Sequence, residues 1–171
     1  MGFKAAVITV SDRGYRGERE DTSGPALCAY LIEHGYEVTY TAIVPDEMKQ
    51  IREALLLCAD EMKTDLIITC GGTGFSKRDV TPEATKAVLE KETPGIPECM
   101  RAKSLEITPR ACLSRSAAGI RGDSLIINLP GSRTAAIENI SAVIEAVEHG
   151  LFILHADEAD CGRQNAGKKE R

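Results

Sequence analysis

The sequence predicts an α/β protein of three layers, α/β/α, with a mostly parallel central sheet. Three observations carry that prediction. Short β-branched runs alternate with helix-length segments through the first half of the chain. Lys4 to Val10 and Leu125 to Leu129 read as buried strands, as a sheet covered on both faces requires. Helices of 10–17 residues lie between them, which implies right-handed crossovers between parallel neighbours. The chain has 171 residues and no internal repeat or linker that would split it. Residues 1-158 are therefore expected to form one domain and 159-171 a flexible tail.

Lys4 to Val10 (KAAVITV) reads as a buried strand, and the polar segment Ser11 to Asp21 as a loop. Thr22, Ser23 and Pro25 then open a helix with Ala26, Leu27, Tyr30 and Leu31 on one face, closed by Gly35. Glu37 to Val44 is a second strand, stopped by Pro45, and Asp46 is placed to cap a helix carrying Met48, Ile51, Leu55 and Met62. Asp65 to Cys70 is a third strand that runs into Gly71-Gly72-Thr73-Gly74. Thr81-Pro82-Glu83 supplies an N-cap, a proline at the first helical position and a dipole-favouring acid, predicting a helix to about Lys91. A short helix around Glu98 to Leu105 follows, then an irregular or hairpin segment through Arg121-Gly122-Asp123. Leu125 to Leu129 is a further buried strand, and a long amphipathic helix from about Thr134 to His155 closes the fold.

Composition narrows the function classes. Lys and Arg number 21 against 26 Asp and Glu, a formal net charge of -5, which argues against general nucleic-acid binding. No apolar run approaches the ~18 residues of a membrane span, and the N-terminus enters a strand directly, so a cytoplasmic location is expected. The six cysteines form no CxxC pair, and the three histidines lie far from any such pair. Free, buried thiols in a reducing compartment are the expectation, with no structural zinc.

Ligands of open α/β sheets gather at the carboxyl ends of the strands. Four strand ends carry unusual sequence here: Ser11-Asp12, Pro45-Asp46, Gly71-Gly72-Thr73-Gly74 and Pro130-Gly131-Ser132. The glycine loop lets backbone N–H groups approach a phosphate, although it matches neither the P-loop nor GxGxxG. A glycine-rich turn serving only chain reversal is the competing reading. Asp79, five residues past Gly74, suits either a helix dipole or a hard metal, with Asp46 approaching from the neighbouring strand end. Mg²⁺ is commonly held by one or two carboxylates while phosphates and water complete its octahedron. Between Arg101 and Arg133 six basic residues face two acids, a basic region able to attract a small polyanion. Ser114-Arg115-Ser116 and Gly119-Ile120-Arg121-Gly122 are its most ligand-like pieces.

These residues also carry a resemblance. Gly71-Gly72-Thr73-Gly74-Phe75-Ser76-Lys77-Arg78-Asp79-Val80-Thr81-Pro82-Glu83-Ala84-Thr85 resembles the signature of the MogA/MoaB group of molybdenum-cofactor biosynthesis proteins, whose relatives include the G domain of gephyrin. Thr9 to Asp12, Val44 to Glu47, Leu113 to Gly122 and Leu125 to Ser132 extend the match in the right order. The resemblance implies a homotrimeric α/β protein that binds molybdopterin and, in catalytic members, uses Mg-ATP to adenylylate it with release of pyrophosphate. It implies Asp46 and Asp79 as the essential carboxylates managing Mg²⁺ and the ATP phosphates. It implies Gly71, Gly72, Thr73, Gly74 and Ser76 as the substrate-binding loop, with Ser11, Asp12, Ser114, Arg115, Pro130, Gly131 and Ser132 on the pocket rim. Arg133-Thr134 stands where many relatives have Pro-Lys. A non-catalytic molybdopterin carrier or scaffold of the MoaB type is the alternative; an assembly module and an unrelated nucleotide hydrolase have less sequence support.

Overall fold

A computed structural model describes residues 2-156. Six strands form one sheet in the order β2-β1-β3-β6-β5-β4. They are β1 (Lys4–Val10), β2 (Glu37–Val44), β3 (Leu66–Cys70), β4 (Lys91–Glu92), β5 (Ala118–Arg121) and β6 (Ser124–Leu129). β2, β1, β3 and β6 run parallel, whereas β5 and β4 add antiparallel at one edge. The β1–β2 register shifts between Ala5 and Ala6, which pair with Val38 and Tyr40, so Thr39 is an extra residue on β2.

Six α-helices cover the sheet: α1 (Asp12–Tyr15), α2 (Ser23–Glu33), α3 (Met48–Leu56), α4 (Thr81–Lys86), α5 (Gly95–Leu105) and α6 (Arg133–His155). The alternation of side chains along each strand assigns the two cores. Ala5, Val7, Leu66, Ile68, Leu125 and Ile127 pack beneath α2, α5 and α6. Ala6, Ile8, Val10, Ile67 and Ile126 pack on the opposite face beneath α3 and α4. Along α6, Ala136, Ile140, Val143, Ile144, Val147 and Leu151 are buried at helical spacing. The predicted layers and the sheet direction are thus those of the structure.

Several expected element bounds change, each for a local reason. The segment after β1 is not wholly a loop, because Ser11 caps the one-turn helix α1 by accepting from the Gly14 N–H at 3.1 Å. Thr22 does not cap α2 with its side chain; Asp21 Oδ1 accepts from Ser23 N and Gly24 N instead, each at 3.0 Å. Asp46 is likewise no cap, since α3 starts at Met48 behind Glu47. After α3 the chain loosens into a π-helical turn, Leu57–Glu61. α4 begins at Thr81 but ends at Lys86 rather than near Lys91, because Lys91 and Glu92 leave to pair with β5 as an edge strand. α5 opens earlier than expected, at Gly95 behind Pro94. The segment ahead of Leu125 resolves into a 3-10 turn, Pro109–Leu113, and a β5–β6 hairpin. Cys28, Cys58, Cys70, Cys99 and Cys112 are free, but Cys99 and Cys112 are exposed rather than buried. The expected tail 159-171 and Cys161 lie outside the described residues.

Candidate active site

Strand order reverses between β1 and β3: β2 lies outside β1, and β6 lies outside β3. This switch point opens a crevice at the carboxyl ends of the strands. The loop after β3 is pinned there by backbone geometry. Gly71 and Gly72 both have left-handed φ, +108° and +64°, and a Cβ on Gly71 would collide with the Val10 carbonyl. At both positions glycine is required for a close approach as well as for the turn. Gly71 N–H donates to the Leu129 carbonyl at 3.1 Å, and an added Cβ on Gly131 would sit 3.2 Å from Gly71 Cα. The loops after β3 and β6 therefore lie against one another. Ser23 Oγ donates to the Gly131 carbonyl at 2.8 Å, tying the N-terminus of α2 to the same junction.

Two cavities flank this junction. One, of about 320 Å³, is lined by Ser11, Asp46, Gly71, Gly72, Asp79, Gly131 and Ser132 among others. The second, of about 270 Å³, is lined by Thr73, Gly74, Ser114 and Pro130, with Arg101 and Arg110. The glycine loop and the Pro130-Gly131-Ser132 step contribute to both. Asp12, Ser76 and Arg115 line neither.

Their side chains are occupied elsewhere. The Arg115 guanidinium donates from Nε to the Gly74 carbonyl and from NH2 to the Asp79 carbonyl, both at 2.7 Å, and pairs with Glu83. Its backbone N–H donates to the Thr73 carbonyl at 3.0 Å. Arg115 thus brackets both ends of the loop from outside. Ser76 uses its N–H on Asp79 Oδ2 at 3.2 Å, and its hydroxyl accepts from the Arg78 N–H at 3.3 Å.

Asp79 Oδ2 also accepts from Gly74 N at 2.9 Å, so this carboxylate closes its own loop rather than capping α4. Asp46 and Asp12 exchange bonds. Asp12 N–H donates to Asp46 Oδ2 at 2.8 Å, and Asp46 N–H donates to Asp12 Oδ1 at 3.1 Å. Among the described residues, no hydrogen bond occupies Asp46 Oδ1 or Asp79 Oδ1. Burial raises the Asp46 carboxyl above the usual carboxylate value, against the Asp12 N–H bond that lowers it; the charges of Asp12 and Asp79 raise it further. The Arg78 guanidinium holds Asp12 below its usual value, against a smaller desolvation effect. Thr81 Oγ1 is buried without a partner, close to the open side of Gly72.

The basic segment divides. Arg101 and Arg110 reach the second cavity, and Arg101 also donates to the Ser114 and Ser116 carbonyls. Arg121 instead forks onto Asp60 with bonds of 2.8 and 2.7 Å. Gly119-Ile120-Arg121-Gly122, expected to be ligand-like, is the β5 hairpin and lines neither cavity. Arg19, Thr9 and Asp21 also line the first cavity, and sequence reasoning missed them. The available signal was Asp21 directly before Thr22-Ser23, a capping acid facing the same rim.

Fold and cleft define an α/β protein with a crevice over the switch point of a doubly wound sheet. The chain belongs to the molybdenum-cofactor biosynthesis family described as a probable molybdopterin binding domain, whose profile matches residues 6–149. A Helicobacter pylori (strain J99) protein named molybdopterin adenylyltransferase is 46% identical over 151 residues, covering 86% of this chain and 85% of its own. Gephyrin of Dictyostelium discoideum is 41% identical over 160 residues, 88% of this chain but 22% of the longer protein. Among solved structures, the molybdopterin biosynthesis enzyme MoaB of Thermus thermophilus superposes with a TM-score of 0.85 at 47% identity. That match covers 89% of this chain and 96% of that one.

Proposed function

We propose that this chain adenylylates molybdopterin: ATP and molybdopterin give adenylyl-molybdopterin and pyrophosphate. The observation that carries the reading is the pairing of Asp46 and Asp79 on one cavity beside the glycine loop, where the Gly72 and Thr73 N–H groups donate to no acceptor among the described residues. Relatives named molybdopterin adenylyltransferase, covered over most of their length, support it.

The donor set fits Mg²⁺ delivered with ATP. Among the described residues no three His, Cys, Asp or Glu side chains form a metal cage, whereas Asp46 and Asp79 each keep one carboxylate oxygen without a protein donor. Such a sparse set suits a cation completed by phosphate oxygens and water. When bound, Mg²⁺ would offset charge on the transferring and leaving phosphates. Asp46 and Asp79 would hold it, and the loop from Gly71 to Gly74 would orient the phosphate chain.

In the transfer, a terminal phosphate oxygen of molybdopterin attacks the α-phosphorus of ATP. A P–O bond forms there as the bond to the bridging oxygen breaks, and pyrophosphate leaves with the electron pair. The nucleophile is already anionic, so no base is needed. The histidines agree with this: His34 stacks on Tyr30, and His155 pairs with Asp65 at 3.1 Å, away from the cleft. Alignment and charge neutralisation then supply the catalysis. Two cavities meeting at one loop suit two substrates whose reacting groups must meet. The rim roles of Ser11, Gly131 and Ser132, and of Thr73, Gly74, Ser114 and Pro130, belong to this proposal.

A homotrimer is part of the same reading. Light scattering would then report three times the 18.4 kDa chain mass. A cytoplasmic location also belongs here; among the described residues no helix is long and apolar enough to cross a membrane.

The decisive experiment follows pyrophosphate with molybdopterin, Mg²⁺ and ATP, beside an Asp79→Asn control. Release requiring both substrates and falling about 10²-fold or more in the control is expected. Molybdopterin binding without pyrophosphate would make the protein a carrier or scaffold.

A further inference from the structure

We propose that Arg78 is a positioning residue of this site: acting through Asp12, it fixes the Asp46 carboxylate relative to Asp79. The inference deepens the adenylyltransferase reading and rests on it.

Arg78 joins three loops. Its Nε donates to Asp12 Oδ2 and its NH2 to Asp12 Oδ1, both at 3.0 Å, while NH1 meets Glu47 Oε1 at 2.8 Å. Asp12 follows β1, Glu47 follows β2, and Arg78 stands beside Asp79 on the loop after β3. Asp12 in turn holds Asp46 by the two exchanged bonds, 2.8 and 3.1 Å. One guanidinium therefore closes a chain from Asp79's neighbour to Asp46. Without it, the Asp12 carboxylate would face Asp46 with only the weaker field of Arg16 as counter-charge, and like charges at this range repel. The planar fork that engages both Asp12 oxygens is a property of arginine that lysine lacks. Arg78 lines neither cavity, and its fork on Asp12 is the contact through which it bears on Asp46.

Arg78 is also about half exposed, at 51%, and Glu47 at 52%. Exposed ion pairs contribute little to stability. A positioning role and a merely structural one therefore predict different measurements.

The test compares wild type with Arg78→Ala and Arg78→Lys in three readouts: kcat and KM, Mn²⁺ titration with ATP present by water-proton relaxation, and thermal melting. For Arg78→Ala, kcat should fall about 10- to 100-fold, as expected when reacting groups are misplaced by about 1 Å. Mn²⁺ affinity in the presence of ATP should weaken several-fold, molybdopterin KM should stay near wild type, and the melting temperature should move by less than about 4 °C. Arg78→Lys should recover part of both losses. Unchanged kcat and Mn²⁺ affinity in Arg78→Ala would overturn the proposal, as would losses that only track unfolding. A wild-type protein that releases no pyrophosphate would sink the adenylyltransferase reading instead, and the Mn²⁺ titration across the three proteins would then decide Arg78's role alone.

Discussion

Asp46 and Asp12 sit 34 residues apart in sequence and trade backbone N–H bonds, yet their carboxyls shift in opposite directions. Asp12 is lowered chiefly by the Arg78 fork, so its contribution to stability is present above the unfolded value and is lost as pH falls through its folded value. Asp46 is raised chiefly by burial, so its contribution is present at low pH and is lost as pH rises through its folded value. Keeping Asp46 ionised at neutral pH thus costs stability until a cation arrives. Asp46→Asn is expected to melt higher than wild type at pH 7 without metal, while losing most turnover. That gap should close below the carboxylate range, where Asp46 is protonated anyway; a melting series from about pH 3 to 8 checks it. The sequence displayed both aspartates as candidates but not their mutual bond, because a contact between two strand ends depends on which strands are neighbours.

At the scale of elements, one buried side chain couples the site loops to the sheet. Asn128, in β6, is fully buried; its Nδ2 donates to Thr69 Oγ1 at 2.9 Å and Thr85 Oγ1 at 2.8 Å, and its Oδ1 accepts from Ala117 N at 3.2 Å. It links β3, α4 and the entry to β5 directly beneath the glycine loop. Asn128→Ala should cost about 2–3 kcal/mol, since it removes these bonds and leaves the buried Ala117 N–H unpaired; urea unfolding measures it. Strands were legible from their β-branched runs: KAAVITV, buried on both faces, and EVTYTAIV, an edge strand with one face exposed, have the bounds of β1 and β2. Caps were less legible. Asp21, not Thr22, caps the start of α2, and Asp46 accepts from the Asp12 N–H at the start of α1 in place of the helix it precedes. Short polar side chains choose among several nearby N–H groups, and only the three-dimensional neighbourhood decides. Arg115 shows the same limit: its position in an ordered motif indicated a rim residue, but its guanidinium is spent on loop carbonyls.

Across the whole molecule, two cavities share the loop between Gly71 and Gly74 and the step from Pro130 to Ser132. If each takes one substrate, Mg-ATP and molybdopterin should each raise the melting temperature, and the two together should raise it further. A hundredfold excess over Kd corresponds to about 2.7 kcal/mol per ligand. Calorimetry with a non-hydrolysable ATP analogue and molybdopterin, added singly and together, checks this; one ligand excluding the other would place both in a single cavity. Overall layering was readable from the alternation of elements, as was the gathering of four strand ends on one rim. The division of that rim into two was not, because it follows from how closely Gly71 and Gly131 approach, a distance no spacing encodes.

The two borders of the sheet have a further consequence, for self-association during folding. β4 is only two residues long, and both of them, Lys91 and Glu92, are exposed and charged. A second sheet therefore finds neither length nor an uncharged surface to zip onto at that border. β2, at the other border, is eight residues long, but the extra residue Thr39 interrupts its ladder to β1. Such a bulge increases local twist and spoils the flat template that fibril growth needs. Brevity and charge on one side and a built-in irregularity on the other protect a strongly apolar sheet from adding strands of a neighbouring chain.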